Sequence, residues 1–230
     1  MIFIIAIFFM ILSFAISSRL KSKFKKYSQV PLSSNLSGKE IAERMLADHR
    51  IHNVKVLCHE GSLTDHYNPA TFTVNLSEPV YYGKNAASAA VAAHECGHAV
   101  QHATAYRFLE MRSALVPIQN ASGKILNIIV LASIFGGSFF FSVFPYDMVL
   151  LTIIGVYTVL TLFSVITLPV EFDASNRALA WIQSRGITNA QEQVMAKDAL
   201  KWAALTYIVA ALGSLVTLLY YVAIFLGRRD

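Results

Sequence analysis

The chain is short of charge. Only 14% of its 230 residues are Asp, Glu, Lys or Arg, against about 25% in an average soluble domain. With 55% hydrophobic residues and a mean hydropathy of +0.51, that deficit excludes an ordinary water-soluble globular protein and excludes disorder. Cysteine is scarce as well. Cys58 and Cys96 make no disulfide framework and fit a reducing compartment; a single bridge between them competes with that reading. There is no internal repeat, and no low-complexity tract beyond one Ala-rich turn. The net charge is +5, but no basic helix with interleaved aromatics accompanies it, so nucleic acid is not an expected partner. In a chain this apolar, surplus Lys and Arg mark cytoplasmic flanks. What is plentiful is Phe, 15 residues, and Tyr, 10 residues, which suit a bilayer and its interface.

Four apolar runs stand out. Met1 to Ser18 is almost unbroken Ile, Phe, Leu, Met and Ala, about the length that crosses a hydrocarbon core. A secretory signal carries its positive charge ahead of the apolar stretch. Here Arg19, Lys21, Lys23, Lys25 and Lys26 follow it, so the run reads as an uncleaved anchor rather than a cleaved signal. Ile125 to Val143 and Met148 to Leu168 are separated only by Phe144-Pro145-Tyr146-Asp147, a break that allows a tight turn between antiparallel helices. Ala203 to Leu226 is the last run. All Lys and Arg except Arg228 and Arg229 lie in the segments 19–124 and 177–201, which puts those segments in the cytoplasm. Four spans place the two terminal arginines on the opposite side, against that rule, and a re-entrant final segment competes with a spanning one.

Between anchor and hairpin the pattern changes. Ser37 and Glu40 form a capping box ahead of a helix through Ala42, Met45 and Leu46. Val54, Val56 and Cys58 alternate as a short strand. Gly61 to Asp65 reads as loop and Asn68-Pro69 as a turn. Thr71 to Leu76 alternates again and reads as a second strand, at a sheet edge, where it would bind extended substrate by strand addition. Ser77 and Pro79 suit the start of a helical turn. Asn85 caps an Ala-rich helix expected to run close to Tyr106.

That helix carries His94-Glu95-Cys96-Gly97-His98. Residues four apart lie on one helical face, so the two imidazoles can hold one metal ion. Glu95, to one side of that face, can act on water rather than on the metal, as a general base must. A catalytic zinc wants a third protein ligand and an open position. Candidates are His59 and His66 before the motif, His102 after it, and Glu171 and Asp173 beyond the hairpin. His102 would make a third ligand from consecutive turns of one straight helix, which cannot surround a tetrahedral ion, so it reads as a supporting or exposed residue. Glu171 is favoured, because a carboxylate at a bilayer boundary is costly without a function and two spans return it to the side of His98. Capping of a following helix by Glu171 and Asp173 competes with that reading. Cys96 reads as a small buried residue.

These residues carry a resemblance. His94 to Gln101, Glu171-Phe172-Asp173-Ala174-Ser175 with Arg177-Ala178, Asp65-His66-Tyr67-Asn68-Pro69 with the segment through Tyr81, and Leu205-Thr206-Tyr207 together resemble the YugP-like family, neutral zinc metallopeptidases of bacterial membranes. More remotely the two motifs resemble the M48-type gluzincins. The resemblance implies that His94, His98 and Glu171 bind one zinc ion per chain and that Glu95 assists water in cleaving a peptide bond. The remote pattern has an Asp four residues after the liganding Glu, to orient a ligand His. Ser175 stands there, which leaves Asp173 as a substitute. His66, Tyr67, His102, Tyr106 and Arg177 are candidate donors to the developing oxyanion.

The expected fold is a mainly α membrane protein of about four transmembrane helices with a small zincin-like α+β domain on the cytoplasmic side. Residues 1–18 form the anchor, 19–124 the catalytic domain, 125–168 the hairpin, 169–202 the helix with the third ligand, and 203–226 the last span. The expected function is a zinc metalloendopeptidase of the bacterial cytoplasmic membrane, acting on peptides or proteins, membrane proteins among them. Two other readings remain beside it: a site-2-type intramembrane protease, and a non-enzymatic membrane scaffold with a structural or vestigial metal site.

Overall fold

The computed structural model describes residues 1–228; Arg229 lies outside the described residues. Helices dominate. Contacts divide the chain into two compact units, one built from residues 1–13, 111–168 and 207 onward, the other from 14–110 and 169–206.

The first unit is apolar. Its helices are segments of α1 (Ile2–Tyr27), α5 (Arg107–Val143), α6 (Tyr146–Ser184) and α7 (Ala190–Leu226). These four helices are long and apolar enough to cross a membrane. Helix α5 bends at Gly137, whose φ of 48° and ψ of −130° lie outside the helical region and are reached at least cost without a Cβ. Residues 144–145 then turn the chain into α6. The last apolar run is part of one helix of 37 residues, not a broken re-entrant loop. Arg228 pairs with Asp147 at 3.5 Å and lies 4.3 Å from the centre of the Tyr146 ring, so a carboxylate answers its charge.

The second unit is α+β. Helix α2 (Gly38–Asp48) begins with the expected capping box: Ser37 N–H donates to Glu40 Oε2 at 2.8 Å and Glu40 N–H donates to Ser37 Oγ at 3.3 Å. Strands β1 (Lys55–His59), β2 (His66–Asn68) and β3 (Thr73–Ser77) form a sheet in the order β1-β3-β2. β3 runs parallel to β1 and antiparallel to β2. The second predicted strand is therefore central, not an edge. Both of its backbone faces are taken, so it cannot accept a substrate strand. The edge on that side is β2, which the Asp65–Asn68 stretch did not announce. α3 (Glu78–Tyr81) starts at Ser77 with Pro79 in its first turn.

Helix α4 (Ala86–Ala103) is capped by Asn85, whose Oδ1 accepts from Ser88 N–H at 2.9 Å. Ala86, Ala87, Ala89, Ala90, Ala92 and Ala93 are all fully buried. A helix apolar all round belongs inside a core, and alanine keeps its neighbours close. Val74 and Leu76 of β3, Ile41 and Met45 of α2, and Ala178 and Ile182 of α6 share that core with α4. Residues 169–202 are the end of α6, a turn at 185–189 and the first turns of α7. Glu192, 3% exposed, ties that turn to the chain after α1: it accepts from Asn189 N–H at 2.7 Å, Ser33 N–H at 2.7 Å and Ser33 Oγ at 2.8 Å. Glu192→Ala removes three charge-assisted bonds and should destabilise the protein by about 1–3 kcal/mol, read as a lower thermal midpoint in detergent and faster proteolysis around residue 33.

Candidate metal centre

Helix α4 sets His94 and His98 one turn apart, their rings 4.8 Å between centroids and nearly perpendicular. Helix α6 brings Glu171 to them. Glu171 Oε2 lies 3.4 Å from His94 Nε2 and 3.7 Å from His98 Nε2. Ligand atoms of the three residues lie within 4.8 Å of one another. Zinc held at about 2.0–2.1 Å from each donor of a tetrahedron separates the donors by about 3.4 Å, so two imidazoles and a carboxylate in this arrangement fit that ion.

The approach of α6 to α4 depends on Gly97. A Cβ on Gly97 would stand 2.6 Å from the carbonyl oxygen of Ala174 and 3.1 Å from its Cα. No side chain fits between the two backbones there. Glu171 lies one turn before Ala174, so the contact sets the distance from Glu171 to the imidazoles. The expected capping role of Glu171 and Asp173 does not hold, because α6 runs from Tyr146 to Ser184 through Pro169 and no helix starts at 171.

Each imidazole is held from behind through Nδ1. His94 Nδ1 is 3.1 Å from Ser175 Oγ, so the residue that replaces the expected Asp supports the histidine itself. His98 Nδ1 is 3.0 Å from Gln101 Oε1. That amide oxygen only accepts, so Nδ1 donates to it and Nε2 is the nitrogen turned toward Glu171. Gln101 Nε2 donates to Val170 O at 2.8 Å and to Asp173 Oδ2 at 2.8 Å, and Asp173 also receives Arg177 Nε at 2.6 Å. Asp173 thus reaches the site through Gln101, not by touching a histidine. Gln101 is fully buried and escaped the sequence reading, although its place three residues after His98 puts it on the same face.

Burial opposes charge at this site, and mutual attraction overrides it. Burial alone would raise the Glu171 carboxyl, but the two imidazoles hold it well below the usual carboxylate range. Burial alone would lower the His98 imidazole, but Glu171 raises it.

Glu95 stands apart from this group. It is 8% exposed, and its Oε2 accepts from the backbone N–H of Tyr67 on β2 at 3.1 Å. The Tyr67 hydroxyl lies 2.7 Å from His102 Nδ1, and the His102 ring stacks on Phe72 at 5.5 Å. His102 therefore braces the strand and is not a ligand. His59 and His66 are exposed and stay outside the ligand group; His66 Nδ1 lies 2.8 Å from Thr64 O. Arg177 is held by Asp173 and lies 5.8 Å from the Tyr106 ring centre. Cys96 is buried, its Sγ 3.5 Å from Ala42 O, and burial pushes its thiol up, so it stays neutral.

A helical membrane protein that closes two histidines of one helix against a glutamate of another has the donor set of a zinc hydrolase. The comparisons with known proteins agree. The chain belongs to the family whose model, described as "Putative neutral zinc metallopeptidase", matches residues 2–226. It is 41% identical over 223 residues to a Bacillus subtilis protein named "Putative membrane protease YugP", covering 95% of this chain and 94% of that one. No solved structure matches.

Two substitutions test the supports without touching a ligand. Gly97→Ala forces α6 away from α4, and Gln101→Leu leaves His98 Nδ1 without its acceptor. Each should weaken zinc binding about 10–100-fold, measured by competition with a chromogenic chelator.

Proposed function

We propose that the chain is a zinc endopeptidase of the bacterial cytoplasmic membrane, with its catalytic unit facing the cytoplasm and one zinc ion per chain held by His94, His98 and Glu171. The observation that carries this reading is the division of labour on α4. Two imidazoles converge with Glu171, while Glu95, between them in sequence, is drawn aside by the Tyr67 N–H. A carboxylate with no ligand duty, fixed beside a metal centre, has the placement of a general base.

Zinc at such a centre acidifies water and polarises a carbonyl oxygen. The protein's own groups do the rest. Glu95 takes a proton from water as its oxygen bonds to the peptide carbon. It then delivers that proton to the amine nitrogen as the C–N bond breaks. Ser175 and Gln101 hold the two imidazoles in orientation throughout. The open edge of β2, beside Glu95, replaces the central strand as the place where an extended peptide lies. The expected substrates are peptides or proteins, membrane proteins among them.

The lysine and arginine distribution supports the cytoplasmic orientation. The site-2-type reading is disfavoured, because α4 is buried in the α+β unit and is not among the candidate spans. The scaffold reading leaves Glu95 without a purpose.

Glu95→Gln in proteoliposomes should retain stoichiometric zinc and lose about 10²–10⁴ in kcat, whereas His98→Ala should lose the metal itself. Peptide products would be counted by mass spectrometry after incubation with a membrane-protein extract. Wild-type cleavage by the Glu95→Gln protein would sink this mechanism.

A further inference from the structure

Seven cations cluster where α1 and α7 meet, outside the metal centre. Arg19, Lys21, Lys23, Lys25 and Lys26 lie on α1, and Lys197 and Lys201 on α7. One carboxylate, Asp198, lies in these two stretches. It receives Lys23 Nζ at 2.7 Å and the Tyr27 hydroxyl at 2.5 Å. Arg19 lies 6.0 Å from the Trp202 ring centre. One step of four residues along α1 matches one step of four along α7 in the opposite sense, so the helices run antiparallel here. Asp198 consumes one charge. Arg19, Lys21, Lys25, Lys26, Lys197 and Lys201 remain exposed.

The height of the cluster identifies its partner. The apolar run of α1 ends at Ser18 and that of α7 begins at Ala203. Arg19 faces Trp202, so both helices leave the apolar region at one level, marked by an indole of the kind that settles at membrane interfaces. The lysines stand within about two turns of that level, Lys21 and Lys201 within one, where lipid phosphates lie. A soluble acidic partner would not require the charges to be level with the apolar boundary.

We propose that this collar binds the headgroups of anionic phospholipids and so selects the lipid shell around the α1–α7 pair. The inference is independent of the peptidase reading.

Trp202 supplies the probe. The full chain is reconstituted in phosphatidylcholine membranes containing either brominated phosphatidylglycerol or brominated phosphatidylcholine, and bromine quenching of Trp202 reports which lipid is adjacent. Trp181, buried and bonded to Asp48 at 3.0 Å, contributes a constant background. The wild type should prefer phosphatidylglycerol by about fivefold for each lysine–phosphate contact. The Lys21→Gln/Lys25→Gln/Lys201→Gln protein should lose most of that preference, and Lys55→Gln, away from the collar, should behave as wild type. Native mass spectrometry of detergent-released protein, counting retained phosphatidylglycerol, provides the same comparison without fluorescence. Equal quenching of the wild type by the two lipids overturns the proposal. So does a preference that the triple substitution leaves undiminished.

Discussion

The contact between Gly97 and the backbone at Ala174 governs the centre. Helices usually pack with axes about 8–10 Å apart, a distance set by the side chains between them. Here one side chain is missing, and the carbonyl of Ala174 occupies its place. Three donors from two helices can then meet inside the span of one small ion. Hydrogen bonds lock this proximity: Gln101 of α4 reaches the Val170 carbonyl and Asp173 of α6, and Ser175 of α6 reaches His94 of α4. The glycine permits the approach, and these polar groups fix its register.

The same arrangement answers an electrostatic problem. A carboxylate taken out of water is costly unless cations or donors replace its hydration. Glu171 is almost fully enclosed, and the groups drawn around it are imidazoles, whose charge depends on protonation. A divalent ion satisfies the carboxylate and leaves both imidazoles neutral, as ligands must be. Asp173 carries the other charge of the network and is answered by Arg177 at the rim, so the second carboxylate adds no unpaired anion to the interior.

Much of this was legible where the signals are local. The Ser37–Glu40 box, the Asn85 cap and the apolar runs are short-range patterns, and the structure follows them. The pairing of His94 with His98 was legible through their spacing, and Glu171 was the carboxylate favoured to join them, as the group they form could hold a metal ion. Strand order was not, because it depends on pairing across the chain: β2 has three residues, too few for a periodicity, and its pairing with β3 turns an apparent edge into a centre. The end of the apolar run at Leu168 misled in another way. It is not the end of the helix: α6 continues through Pro169 to Ser184, as long membrane helices accommodate proline, so Glu171 and Asp173 lie inside it and cap nothing. Gln101 was passed over because a polar residue on a helix is ordinarily solvated, and only the all-round burial of α4 makes it an internal strut.

Helix α6 passes without a break from its apolar run into the metal centre. Glu171 follows Leu168 by three residues, about 5 Å along the axis. The third donor therefore has no loop of its own: it is carried by a continuous helix, whose backbone hydrogen bonds rather than a mobile connection hold the carboxylate in place.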